Sequence, residues 1–250
     1  MPGEIDEDFP VDLFQEPPGF RPPPPQATDH TFECKDHRLL SVKLLGHHSL
    51  WAHCLWNAGV WLARHIDLNH HLVRDRSVLE FGAAGGLPSL VSCLSGASVT
   101  VQTDYPDKCL IDMMKANVDA NVPKSLASKI HSLGFLWGED VQELLQKSPH
   151  GRGYDVIIMS DLIFNHTYHR HLLLSARQCL SDEKDSQIWV PFSHHRPHLA
   201  DKDMAFFTLA EEMGFSVEKQ ESAKMKAMFE KDPGSLEVRE TVHFYILKAR

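Results

Sequence analysis

Residues Ser77–Asp104 read SVLEFGAAGGLPSLVSCLSGASVTVQTD, and this stretch decides the fold. An apolar start (Val78, Leu79, Phe81) runs into Gly82-Ala83-Ala84-Gly85-Gly86, and Leu87 to Leu94 then carries helix-forming apolar residues. The pattern is strand, glycine turn, helix. After Gly96, Val99 and Val101 alternate with Thr100, Gln102 and Thr103 in a second strand that closes on Asp104. A βαβ unit of this kind sets Asp104 at a strand's carboxyl end beside the glycine turn, where parallel sheets bind ligands.

The residue types in that crevice describe a nucleoside site. Glycines let backbone approach a ligand where a Cβ would collide, and the helix starting near Leu87 or Pro88 offers unpaired N–H groups. An acid ending the next strand can accept hydrogen bonds from both hydroxyls of a ribose. A dinucleotide fingerprint counted from Gly82 would want glycine at 84 and 87, where the chain has Ala84 and Leu87. Glu80, two residues before the first glycine, suits a cationic ligand better than a diphosphate. S-adenosylmethionine, with a sulfonium, an ammonium and a ribose, is such a ligand. The plainer alternative is an ordinary sheet–helix turn of some other α/β protein.

With 250 residues, the chain holds one full α/β domain, and 42% hydrophobic and 24% charged residues are ordinary for a globular protein. No apolar run approaches the roughly 20 residues of a spanning helix, so no membrane is expected. The acidic, proline-rich start MPGEIDEDFPVDLFQEPP is the reverse of a presequence, which points to a cytoplasmic protein. Five scattered cysteines, an odd count, argue for reduced thiols. A net charge of −9 disfavours nucleic acid and suits a basic partner such as a lysine-rich protein segment. Among 17 histidines there is no HExxH, and no cysteine stands at ligand spacing from another. Adjacent pairs such as His194-His195 diverge on a strand or a helix, so no metal is expected.

Residues 1–30 form an acidic, proline-rich N-terminal arm, in which Pro22 to Pro25 bias the path to polyproline II; residues 31–250 form the domain. Thr31 to Leu45 gives one or two short strands. Ser49 to Ile66 reads as a helix that packs on the sheet, with Trp51, Trp56 and Trp61 along it. Beyond Asp104, a helix spans Asp107 to Asn121, a strand Ile130 to Leu136, a short helix Glu143 to Gln146, and a strand Tyr154 to Asp161. Then follow helix His166 to Leu180, strand Gln187 to Phe192, helix Asp201 to Gly214, and strands Phe215 to Glu221 and Thr241 to Lys248. With no helical crossover between the last two, these are antiparallel neighbours. The fold class is α/β: a Rossmann-like seven-stranded sheet with an antiparallel last strand and helices on both faces.

That order resembles the seven-β-strand S-adenosylmethionine-dependent methyltransferases, from about Leu39 to Lys248. LWAHCLWNAG, VLEFGAAGGLPSLV, TDYPD at Thr103 to Asp107 and SDLIFNH at Ser160 to His166 are similar to the branch that methylates lysines in proteins. The N-terminal DLFQEPPGFRPPPP is similar to the protein N-terminal and lysine methyltransferases acting on translation elongation factor 1-alpha, once described as nicotinamide N-methyltransferase-like. The resemblance implies S-adenosyl-L-methionine as cofactor and that elongation factor as protein partner. It implies that Gly82, Ala83 and Ala84 contact the cofactor and that Asp104 holds its ribose. It puts Trp56 (or Trp51) ahead of the first core strand, Trp137 beside the adenine and Ser160 against the cofactor. The chain has Ala84 where the family commonly has glycine. Related enzymes carry Asp-x-x-Tyr where Asp161-Leu162-Ile163-Phe164 stands, so a role needing that hydroxyl does not transfer.

Methyl transfer to an amine needs a neutral nucleophile in line with the S–CH₃ bond. An α-amine, with a reference pKa of about 7.7–8.0, is easier than a lysine at about 10.4. Asp161, at a strand end, is the candidate to position the amine; its bland role is a cap on the loop Ile163 to His166. His166 is a candidate proton relay or an exposed cap. Two other readings stay open: a small-molecule N-methyltransferase with a nicotinamide-like substrate, and an inactive cofactor-binding protein.

Overall fold

The computed structural model describes residues 25–229 and 231–250. The chain enters through a hairpin, β1 (Thr28–Glu33) and β2 (Leu39–Leu44), paired antiparallel with Phe32 opposite Leu40. Then come α1 (Asn57–Leu68), β3 (Ser77–Phe81), α2 (Leu87–Leu94), β4 (Val99–Asp104), α3 (Lys108–Asn121), β5 (Ile130–Gly134), α4 (Gln142–Leu145) and β6 (Val156–Met159). The rest is α5 (His169–Cys179), β7 (Gln187–Ser193), α6 (Ala200–Glu212), β8 (Phe215–Lys219), β9 (Ala223–Lys224), α7 (Leu236–Arg239) and β10 (Thr241–Ala249).

The main sheet runs β5-β4-β3-β6-β7-β10-β8, with the two-residue β9 paired to β10. The five strands β5, β4, β3, β6 and β7 are parallel, and β10 is antiparallel to both β7 and β8. This is the expected Rossmann-like sheet with its antiparallel last strand. β3 is buried at every position and β6 likewise, because both faces are covered. On one face Leu172, Leu173 and Ala176 of α5 and Phe206 and Phe207 of α6 pack against Leu79, Phe81 and Ile157. On the other, Leu62 and Ile66 of α1, Leu87 and Leu90 of α2, and Val42 and Leu44 of the hairpin pack against Val78, Val156 and Ile158. Each such aliphatic side chain contributes about 1.5–3 kcal/mol by leaving water.

The boundaries differ from the sequence reading most in four places. β1 begins at Thr28, inside the expected arm; residues 1–24, with the DLFQEPPGF motif, lie outside the described residues. The first helix starts at Asn57, not Ser49. Trp51 has φ 63°, and the turn bonds Trp51 N–H to His48 O and Cys54 N–H to Trp51 O hold 48–54 in a loop instead. The strand expected to reach Asp161 stops at Met159 because Asp161 takes φ 52°, a left-handed conformation. The helix expected from His166 is one 3₁₀ turn, His166–Tyr168, before α5.

Candidate functional site

A cavity of about 610 Å³ opens at the carboxyl ends of the parallel strands. Trp56, Gly82, Ala84, Asp104, Trp137, Ser160 and Asp161 all line it, so residues up to 105 positions apart in sequence meet there, as the βαβ reading requires. Ala83 does not line it. Its side chain is 7% exposed and its N–H donates to Thr103 O, so it ties the turn to β4 instead.

One half of the cavity is built by the turn between β3 and α2. Gly82 has φ 59°, which favours glycine, and a Cβ there would lie 2.5 Å from Leu162 Cδ2 and 3.4 Å from the Trp137 ring, so any side chain would have to displace Leu162. Gly86, φ 72°, faces Gln102 in the same way. Ala84 has φ 46°, where an alanine costs about 1–2 kcal/mol that a glycine would not. Asp104 offsets this: its Oδ2 accepts the Ala84 N–H at 2.7 Å, and Oδ1 accepts the Tyr105 N–H at 2.7 Å. Burial pushes the Asp104 carboxyl above its usual range, while the Ala84 and Tyr105 amides and His48 pull the other way. Each carboxylate oxygen keeps acceptor capacity toward the cavity. The Oγ of Ser160 is buried without a hydrogen-bond partner among the described residues.

Glu80 is not in the cavity wall. It is 2% exposed and accepts both the hydroxyl and the N–H of Ser89, capping the first turn of α2 from beneath. Burial raises its carboxyl to about 8, against the pull of Ser89. The strand's alternation turns it toward the helix instead of the ligand.

The other half is aromatic and histidine-rich. Asp161 Oδ1 accepts from His195 Nε2 at 3.2 Å and from Ser193 N–H at 3.0 Å, and Oδ2 accepts from Ala58 N–H at 3.4 Å. Trp56, at the N-cap of α1, gives no side-chain cap, so Asp161 serves that helix end from 103 residues away. His194 turns the opposite way and pairs with Asp203 at 2.7 Å, as neighbours at a strand end must. His166 pairs with the same Asp203 at 2.7 Å, so it is no exposed cap, although it lines the cavity. Trp56, Phe164, His195 and Phe229 bring their rings together beside Asp161.

Sequence reasoning missed three contributions. The polar segment after β8 supplies Phe229 and Asp232 to the wall. The loop before α1 supplies Ser49, Leu50 and Ala52. Asn117 clamps the hairpin to the glycine turn: its Oδ1 accepts the Lys43 N–H at 2.8 Å, and its Nδ2 donates to Lys43 O at 2.9 Å and Gly85 O at 3.0 Å. One helical turn on, Asn121 repeats the pattern on Ser41, so α3 pairs with the free edge of β2 through side chains. Repetition at i and i+4 was the available signal.

A family model described as lysine methyltransferase matches residues 35–213. The chain is 45% identical over 239 residues to the protein N-terminal and lysine N-methyltransferase efm7 of Schizosaccharomyces pombe, covering 93% of each. It is 39% identical over 243 residues to the enzyme of that name from Candida glabrata, covering 94% of each. In fold it is similar to TYW2 of P. horikoshii, solved in complex with MeSAdo: TM-score 0.53, 14% identity, 89% of this chain and 71% of that one. A protein described as a SAM-dependent methyltransferase from Streptococcus mutans gives 0.57 at 14% identity, over 88% and 55%.

Proposed function

From the premise that the chain belongs to the lysine methyltransferase family of S-adenosylmethionine-dependent enzymes, we propose that it methylates the N-terminal α-amine, a nearby lysine, or both, of translation elongation factor 1-alpha in the cytoplasm. The observation that carries the reading is the likeness along nearly the whole chain to proteins named N-terminal and lysine methyltransferases. The elongation factor rests on the resemblance of the N-terminal motif.

The residues present fit the cofactor. The unpartnered Ser160 Oγ, the spare acceptor capacity of Asp104 and the close approach at Gly82 are what a ribose-bearing ligand needs. In this reading Gly82, Ala84, Asp104, Trp137 and Ser160 hold S-adenosylmethionine, with Trp56 at the boundary with the substrate and Ala83 supporting the turn from behind. When bound, the cofactor supplies a methyl carbon activated by a positively charged sulfur leaving group.

The chain's own work is orientation, desolvation and removal of a proton. Asp161 is 4% exposed, with Oδ1 turned to Ser193 and His195 and Oδ2 to Ala58, so it acts through His195 instead of gripping the amine. With Nε2–H directed to Asp161, His195 presents Nδ1 as an acceptor, and Nδ1 has no hydrogen-bond partner among the described residues. An ammonium delivered to the site loses a proton to that nitrogen, and the imidazolium so formed is stabilised by Asp161 before water carries the proton away. Arg196 fixes the wall by donating to Phe164 O at 3.0 Å.

The test is mass spectrometry of elongation factor 1-alpha from cells with and without this protein, paired with tritiated cofactor added to lysate. Loss of methyl groups at the N-terminus or a neighbouring lysine supports the reading. Label confined to small molecules would replace it with a small-molecule N-methyltransferase, and cofactor binding without any label would leave an inactive binder.

A further inference from the structure

We propose that the rings of Trp56, Phe164, His195 and Phe229 form a recognition site for an N-methylated ammonium group, so that the enzyme retains a partly methylated nitrogen and carries it toward the fully methylated state. The inference deepens the proposed function and rests on it for the identity of the amine.

Four separate segments deliver these rings. Trp56 stands before α1, Phe164 in the loop after β6, His195 after β7, and Phe229 in the segment between β9 and α7. The Trp56 ring lies 4.8 Å from His195, 6.5 Å from Phe164 and 6.0 Å from Phe229, and His195 lies 6.5 Å from Phe229. Phe229 meets Trp56 at 70° and His195 at 74°, so the rings form a corner, and all four border the same cavity as Gly82 and Asp104.

The polar inventory of that corner decides which cation fits. An unmethylated ammonium presents three N–H donors and needs acceptors to replace water. Here Asp161 is 4% exposed with its oxygens turned to Ala58, Ser193 and His195, which leaves His195 Nδ1, Asn165 and the Asp232 carboxylate as the acceptors along this wall of the cavity. Each methyl group replaces a donor with a C–H surface that carries part of the charge, which suits aromatic faces and needs no acceptor. The site therefore gains affinity with each methyl added. Charge also moves from sulfur to nitrogen during transfer, so rings around the nitrogen stabilise the transition state more than the neutral amine that precedes it. In that step the nitrogen lone pair forms the N–C bond, the C–S bond breaks, and its electron pair stays on sulfur as a neutral thioether.

The experiment uses the full chain saturated with S-adenosylhomocysteine and titrates tetramethylammonium chloride against ammonium chloride at equal ionic strength, read by calorimetry. Saturable binding of tetramethylammonium, with no matching heat from ammonium, is expected. The double variant Phe164→Leu/Phe229→Leu keeps apolar volume without the ring faces. It should weaken tetramethylammonium binding by about fivefold or more while S-adenosylhomocysteine affinity stays within about twofold. On substrate, the same variant should accumulate monomethylated product. Equal binding of the two cations, or unchanged tetramethylammonium affinity in the double variant, overturns the proposal. Should protein be labelled while tetramethylammonium fails to bind, this inference falls and the proposed function stands. The reverse pattern, with saturable binding and no labelled protein, keeps the ammonium site and removes the protein substrate.

Discussion

Asp104 Oδ2 accepts the N–H of Ala84 at 2.7 Å, joining the end of one parallel strand to the glycine turn that follows its neighbour. The carboxylate thus shapes the turn as well as facing the cavity. Asp104→Ala is expected to lower S-adenosylhomocysteine affinity about 10- to 100-fold, the loss of charge-assisted hydrogen bonds worth roughly 1.5–3 kcal/mol. Asp104→Asn, which keeps an acceptor for Ala84, should lose less. Calorimetry checks both, and near-normal binding by the alanine variant would remove Asp104 from the ribose contact.

Asn117 makes three hydrogen bonds that tie the hairpin to the glycine turn. Replacing it with alanine leaves the Lys43 and Gly85 groups short of partners at about 1–3 kcal/mol. The expected outcome is a lower melting temperature and faster hydrogen exchange at the Lys43 amide. Unchanged exchange there would mean that the hairpin is held by its apolar contacts alone.

Glu80 gives a pH signature in the unliganded protein. Its carboxyl is raised from an ordinary 4.5 to about 8, chiefly by burial. The folded state therefore keeps a proton that the unfolded chain has released, and this contribution is complete below the lower value and lost as pH rises through the upper one. Glu80→Gln, which preserves an acceptor for Ser89, should melt with a flatter pH dependence between about pH 5 and pH 8.5. Parallel curves for the two proteins would contradict the burial argument.

His195 is the proton acceptor in the proposed reaction. Converting it to glutamine should lower kcat by about 100-fold or more with S-adenosylhomocysteine affinity near normal, since the two lie in different halves of the cavity. Asp161→Asn should also reduce kcat, and it should lower the melting temperature as well because the same carboxylate caps α1. Steady-state kinetics beside thermal melts separates the two roles. A His195→Gln enzyme with wild-type kcat would return proton removal to solvent.

The strand, glycine turn and helix around Gly82, the acid at Asp104 and the alternation of strands and helices along the chain were legible in the residues themselves. They depend on local alternation, backbone freedom and chain direction, all of which are written within about 30 consecutive positions. Glu80 was misplaced because a strand pattern fixes which residues alternate and does not say which face holds the ligand. Only the tertiary structure could pair Asp161 with Ala58 and His195, set Asn117 on Lys43, and bring Phe229 to Trp56. Those partners lie between 34 and 173 positions apart in sequence. No local propensity encodes such meetings: they exist because an open sheet with helices on both faces leaves those side chains one shared corner in which to exclude water.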